Sequence, residues 1–299
     1  MFTNSEGRLQ PVWGFAISAV FTFAAFFIAG VVAEALSGQR YLVLEVCFRT
    51  LLAVLLLALY VWLLTVADGV HRGRIAALGL PRARGYLKQF FFGCALGLVL
   101  TVLGVLPLLL AGHPKFVLRT GVHLLPQIAG VLLVLMVGAL AEELIFRGYP
   151  FQHLVAGIGA PAAIAVFSIL FGVVHLSNPG ASFWGLVNTI LIGILLSIAY
   201  LRTRALWLPW GIHFGWNLTL GFLLGLPVSG LTMFSVMVRT TTTGPRWMTG
   251  GAYGIEASVA GAAAILVGLV AICRMPLPAL TPPAGPALEP AHEQGLTGI

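Results

Sequence analysis

Apolar runs separated by short polar or Gly/Pro-bearing joints organise the chain. A helix crossing a bilayer core of about 30 Å needs about 17–25 apolar residues. On that measure eight spans are predicted: Trp13–Val32, Leu42–Val66, Phe90–Leu110, Pro126–Phe146, Ala160–Val174, Phe183–Tyr200, Leu208–Leu226 and Ile255–Ile272, the fifth being the shortest. Polar residues interrupt the pattern at a few places: Glu45 and Arg49, Glu142-Glu143 with Arg147, His175, Asn188, and His213 with Asn217. In hydrocarbon an ionisable side chain costs from about 2.5 to well over 10 kcal/mol, so several such groups imply a shared polar site.

Composition agrees with this pattern. Of 299 residues, 59% are hydrophobic and 8% charged, with a mean hydropathy of +1.01. A globular domain carries about 25% charged residues, so the fold class expected is an all-α, polytopic membrane helical bundle with an internal polar cavity. The net charge of +7 and pI near 9.8 come from basic residues scattered through short loops, not from a stripe suited to nucleic acid. They read as topology signals and as contacts to anionic membrane lipid. Cys47, Cys94 and Cys273 lie in separate apolar segments without CxxC spacing, which indicates neither a disulfide framework nor a zinc knuckle.

Arg72, Arg74, Arg82, Arg84 and Lys88 make the joint after the second span cytoplasmic by the positive-inside rule. Alternation then puts both termini inside, in a multi-pass protein of the bacterial plasma membrane. The first apolar run of roughly 20 residues exceeds a signal-peptide core of about 7–15 residues and is read as a retained span. Residues 1–275 form one transmembrane domain, and the Pro/Ala-rich segment 276–299 is a disordered cytoplasmic tail. The segment Pro227–Gly254 is read either as a short interfacial helix or as a plain connector.

Glu143 and Arg147 stand four apart with the acid first, the favourable order for an ion pair on one helix face. Glu142 is turned about 100° away and lacks that partner, so it reads as a reactive carboxylate facing a cavity or as a helix-end acid reaching water. Phe171 and His175 share a face, as do His213 and Asn217, and the second histidine supplies a partner for the amide. Trp207, Trp210 and Trp216 fit an interfacial aromatic belt, Asn188 a helix-to-helix hydrogen bond, and Glu45 with Arg49 a clamp or the lining of a wet cavity.

One carboxylate, two imidazoles and an amide suffice for hydrolysis of a peptide bond by an activated water, with no cofactor required. The set Glu142, His175 and His213 also suits zinc, although HExxH is absent. Ser168 and Ser177 lack a GxSxG elbow, and Cys94 and Cys273 have no histidine near them in sequence.

These residues resemble the CAAX protease and bacteriocin-processing (CPBP, Abi) family of intramembrane endopeptidases, which includes the type II CAAX prenyl endopeptidases. Its pattern EExxxR, FxxxH and HxxxN stands here as Glu142 to Arg147, Phe171 to His175 and His213 to Asn217, within a family core of about 126–226. The resemblance implies an eight-helix bundle whose cavity opens to the cytosol. It also implies that Glu142 activates water with His175, that His213 and Asn217 bind the oxyanion, and that Glu143 and Arg147 support them. The implied reaction is glutamate-type cleavage near the C-terminus of a membrane-associated or prenylated protein or peptide, although members also carry the name metalloprotease. A non-catalytic scaffold or bacteriocin-immunity protein of the same fold is the alternative. A proton-coupled transporter is disfavoured by the lack of paired hydropathy repeats.

One tension remains in the predicted topology. His175 follows about 15 residues of helix, about 22 Å of rise, beyond the end that holds Glu142. Either Tyr149–Gly157 is a surface or partly buried helix, with Phe151, Leu154 and Val155 on its apolar face, or the cavity reaches deep.

Overall fold

The computed structural model describes residues 10–37, 41–71 and 73–280; Arg8, Arg72 and the tail from residue 281 lie outside the described residues. The chain runs α1 (Pro11–Ser37), α2 (Tyr41–Val66), a single turn α3 (Arg74–Ala77), α4 (Tyr86–Leu110), β1 (Pro114–Leu118), α5 (Leu125–Arg147), α6 (Tyr149–Ile158) and α7 (Ala160–Val174). It continues through α8 (Phe183–Thr203), α9 (Trp207–Asn217), β2 (Val238–Thr242), the short α10 (Arg246–Thr249) and α11 (Val259–Arg274). Six helical stretches among the described residues are long and apolar enough to cross a membrane: Pro11–Leu36, Leu44–Val66, Tyr86–Leu110, Val122–Ile158, Ala160–Ser177 and Phe183–Thr203. The protein is therefore an all-α, polytopic membrane bundle, with one small β-ribbon added.

Two of the predicted spans come out shorter. α9 keeps α-helical geometry for 11 residues and passes into a π-helical segment, Leu218–Leu223. The last helix begins at Val259 and not at Ile255, because Ser258 takes an extended conformation and caps it, its Oγ accepting from Gly261 N–H at 2.9 Å. The segment Pro227–Gly254 is more than a plain connector, since it holds the short helix α10 and a strand. Its threonine-rich part forms β2, antiparallel to β1 with Phe116 opposite Thr240, as β-branched side chains favour.

The tension in topology is relieved between Arg147 and Ala160. A Cβ on Gly148 would strike the Leu144 carbonyl, so the glycine lets the chain turn sharply from α5 into α6. α6 then packs Phe151 and Leu154 into the interior, and Gly159, at φ +84°, starts α7.

The closest helix packing joins α4 to α9. Gly93 and Gly97 face Gly211 and Gly215, and a Cβ on any of the four would overlap backbone atoms of the other helix. Small residues spaced by four let two backbones approach within a membrane, where burial of apolar surface gives no drive. All three tryptophans of the predicted belt bond to the protein through their indoles. The indole N–H groups of Trp207, Trp210 and Trp216 donate to Pro81 O, Met136 O and Glu256 Oε1, each at 2.9 Å. Asn188 ties α8 to the start of α11, donating to the carbonyls of Glu256, in the 3-10 turn before it, at 2.8 Å and of its cap Ser258 at 3.0 Å. The first tail residues also return to the bundle, where Gln89 donates to Pro278 O at 2.8 Å.

Overpacking at the α4–α9 contact is expected to be costly. Gly211→Ala should destabilise the protein by about 1–3 kcal/mol, read as a lowered denaturation midpoint in detergent. An unchanged midpoint would mean that the two helices are not held backbone to backbone.

Candidate active site

The last turns of α5 bring both glutamates into the bundle. Glu143 and Arg147 pair at 3.1 Å and are fully buried, as their spacing predicts. Arg147 also donates to Gly193 O at 3.1 Å, and its guanidinium carbon lies 4.7 Å from the centre of the Phe171 ring. Burial removes water from this ion pair, so the additional acceptor and the ring face replace part of the lost hydration.

Glu143 serves a second partner. Its Oε1 accepts from His213 Nδ1 at 2.8 Å. His213 is thus turned away from Asn217, contrary to the expected pairing, because a buried carboxylate outcompetes a neutral amide for its N–H. Among the described residues the Asn217 amide has no hydrogen-bond partner, and it lines the cavity.

The expected isolation of Glu142 does not hold. Arg49 reaches across from α2 and its Nη1 donates to Glu142 Oε1 at 2.9 Å, while its Nε donates to Glu45 at 3.2 Å. Glu45 and Arg49 therefore form a clamp, and Arg49 is also part of the cavity wall. The other oxygen of Glu142, Oε2, is buried without a hydrogen-bond partner and lies 3.7 Å from His213 Nε2.

His175 sits just past α7. Its Nδ1 lies 2.6 Å from Phe171 O, and because a carbonyl only accepts, Nδ1 donates in this hydrogen bond. The Phe171 ring stands 4.7 Å from the His175 ring and 6.1 Å from the His213 ring, so it holds both imidazoles as well as covering Arg147. Glu142, His175, His213 and Asn217 all line one cavity of about 690 Å³. The four residues singled out from sequence are brought together there, with Glu143, Arg147 and Phe171 behind them.

A further carboxylate belongs to this wall. Glu256 was counted within the last span and given no role, yet it is buried beside the cavity. It accepts from Trp216 at 2.9 Å, from the Ser229 hydroxyl at 3.0 Å and from the Ser229 backbone N–H. Burial pushes its carboxyl above the usual carboxylate range, while the Ser229 and Trp216 donors pull the other way. A lone acid in an apolar segment is the signal that would have found it.

Among the described residues no group of three His, Cys, Asp or Glu side chains is arranged to hold a metal ion. The alternative set Glu142, His175 and His213 also shares its space with the Arg49 guanidinium, an unfavourable neighbour for a cation.

Breaking the buried pair should be expensive. Arg147→Ala leaves Glu143 with His213 as its remaining partner and is expected to cost about 3–5 kcal/mol, seen as lost yield or a lower unfolding midpoint. Wild-type stability in this variant would contradict the pairing.

No curated protein and no solved structure matches the chain. Residues 124–219, which hold Glu142, Glu143, Arg147, His175, His213 and Asn217, match the family model described as Type II CAAX prenyl endopeptidase Rce1-like. Together with the Glu142, Glu143 and His213 cluster inside a membrane-helix bundle, that match over part of the chain supports a CAAX-protease-like domain and an intramembrane glutamate-type endopeptidase.

Proposed function

We propose that Glu142 is the general base of this endopeptidase and that it takes a proton from water through Oε2. The observation that carries the reading is this buried, unpartnered oxygen, in one cavity with His175, His213 and Asn217. His175 Nε2 accepts the water's second hydrogen and orients it. As the water oxygen bonds to the scissile carbonyl carbon, its proton passes to Glu142 and the carbonyl oxygen becomes an oxyanion. His213 and the Asn217 amide donate to that oxyanion. The C–N bond then breaks, Glu142 returns its proton to the leaving amine, and both the base and the donors are regenerated.

Charge balance supports the role of His213. Its Nδ1 is spent on Glu143, so it can donate to an oxyanion only through a protonated Nε2, that is, as imidazolium. Glu45, Glu142 and Glu143 bring three negative charges to the linked set and Arg49 and Arg147 two positive ones. One proton on His213 brings the set to neutrality.

The finer architecture follows from the same reading. α9 with its π-helical continuation, and α11, complete eight spans, with Arg74, Arg82 and Arg84 on the cytoplasmic side. The apolar cavity wall, which includes Phe26, Phe48 and Leu170, suits a lipidated peptide whose cleaved bond lies close to the modified residue. The name of the matched family points to prenylated C-terminal tails as that class.

Purified protein in detergent should cleave a peptide bearing a farnesylated cysteine followed by three residues, and cleave its unprenylated counterpart more slowly. Glu142→Gln should lower kcat by about 100–10,000-fold while leaving the unfolding midpoint near wild type. Turnover should persist in a strong chelator. Wild-type turnover by E142Q would exclude the assignment, and loss of activity restored specifically by zinc would exclude a metal-free mechanism.

A further inference from the structure

Resting on the reading of Glu142 as the base, we infer that Arg49 is a positioning residue of the active site, keeping the Glu142 carboxylate out of hydrogen-bond contact with His213. Arg49 lies on α2, outside the matched residues 124–219. The domain that carries the motif is thereby completed by a helix that does not belong to it.

The geometry is specific. Arg49 uses two different nitrogens on two acids: Nε to Glu45 at 3.2 Å and Nη1 to Glu142 Oε1 at 2.9 Å. Glu45, one turn earlier on α2, fixes the plane of the guanidinium, and Phe48 lies beside it with its ring centre 5.9 Å from Cζ. On the α5 side the room comes from Gly138, one turn before Glu142. A Cβ there would already touch the Arg49 stem, 3.4 Å from Cδ and 3.5 Å from Nη1. The arginine lies along a groove that a larger residue would fill.

The consequence concerns what Glu142 would otherwise do. Its Oε2 is 3.7 Å from His213 Nε2, within ion-pair range but without a hydrogen bond. A direct hydrogen bond would occupy the base and the proposed oxyanion donor with each other and leave neither for substrate. Arg49 holds Oε1 and restricts rotation of the carboxylate. Its effect on turnover is exerted through Glu142.

The test compares Arg49→Met, Arg49→Lys and Glu142→Gln with wild type on the farnesylated peptide, with the folded fraction measured for each. For R49M, kcat should fall about 100-fold, the size expected when a catalytic group is misplaced by about 1 Å, with KM held within about threefold. R49K should retain an intermediate kcat, and added guanidinium ion should raise the kcat of R49M without changing its folded fraction. Should R49M fail to fold, the charge-balanced pair Glu45→Gln with Arg49→Met replaces it, and the same fall in kcat and guanidinium response are expected. Wild-type kcat in folded R49M or in the double variant, or a loss confined to KM or that guanidinium does not relieve, overturns the inference. An active E142Q would overturn instead the assignment of the base, so the two failures are distinguishable.

Discussion

Charge taken into a membrane bundle has to be neutralised where it lies, and the centre of this molecule is organised by that requirement. Attraction between ions in a low-dielectric interior is strong, yet it repays lost hydration only when the geometry is close and the remaining polar atoms are bonded. Here Glu45, Arg49, Glu142, His213, Glu143 and Arg147 form one connected set, with contacts of 2.8–3.7 Å running across α2, α5 and α9. Arg147 extends it to α8 through Gly193 O. Chemistry becomes available where the set leaves atoms unpaired. Glu142 Oε2 is buried without a hydrogen bond, and His175, outside the set, lines the same cavity as Glu142.

Rigid packing around the set keeps those atoms in place, as a catalytic constellation requires. The glycine contact between α4 and α9 fixes the position of α9 and hence of His213 and Asn217. Phe171 contacts both imidazoles and the Arg147 guanidinium, so one ring aligns α7 with α5 and α9. On the far wall, Glu256 joins Trp216, one residue before Asn217, to Ser229, whose positive φ of 46° is an uncommon backbone state for serine. Asn188 holds the same turn from α8. These contacts tie the π-helical end of α9 to the rest of the bundle.

Much of this was legible in the sequence because a membrane leaves strong marks. Apolar run length located the long helices, and the four-residue spacings found Glu143 with Arg147 and Phe171 with His175. What escaped depended on contacts between segments distant in sequence. Spacing could suggest that Glu142 was unpaired, but only the fold shows Arg49, 93 residues away, on its oxygen. Similarly, the spacing of His213 and Asn217 permitted a bond that Glu143 prevents from another helix. The threonine run was visible, but its partner strand lies more than a hundred residues earlier, beyond the reach of local pattern.

The protonation of His213 links the neutrality of the buried set to the proposed oxyanion site, and nitrogen NMR of histidine-labelled protein in lipid bilayers at neutral pH reports it directly. The account predicts that His213 carries protons on both ring nitrogens, with Nδ1 hydrogen-bonded to a carboxylate. A bare, unprotonated Nε2 would contradict it, leaving the set with an uncompensated negative charge and the oxyanion without this donor.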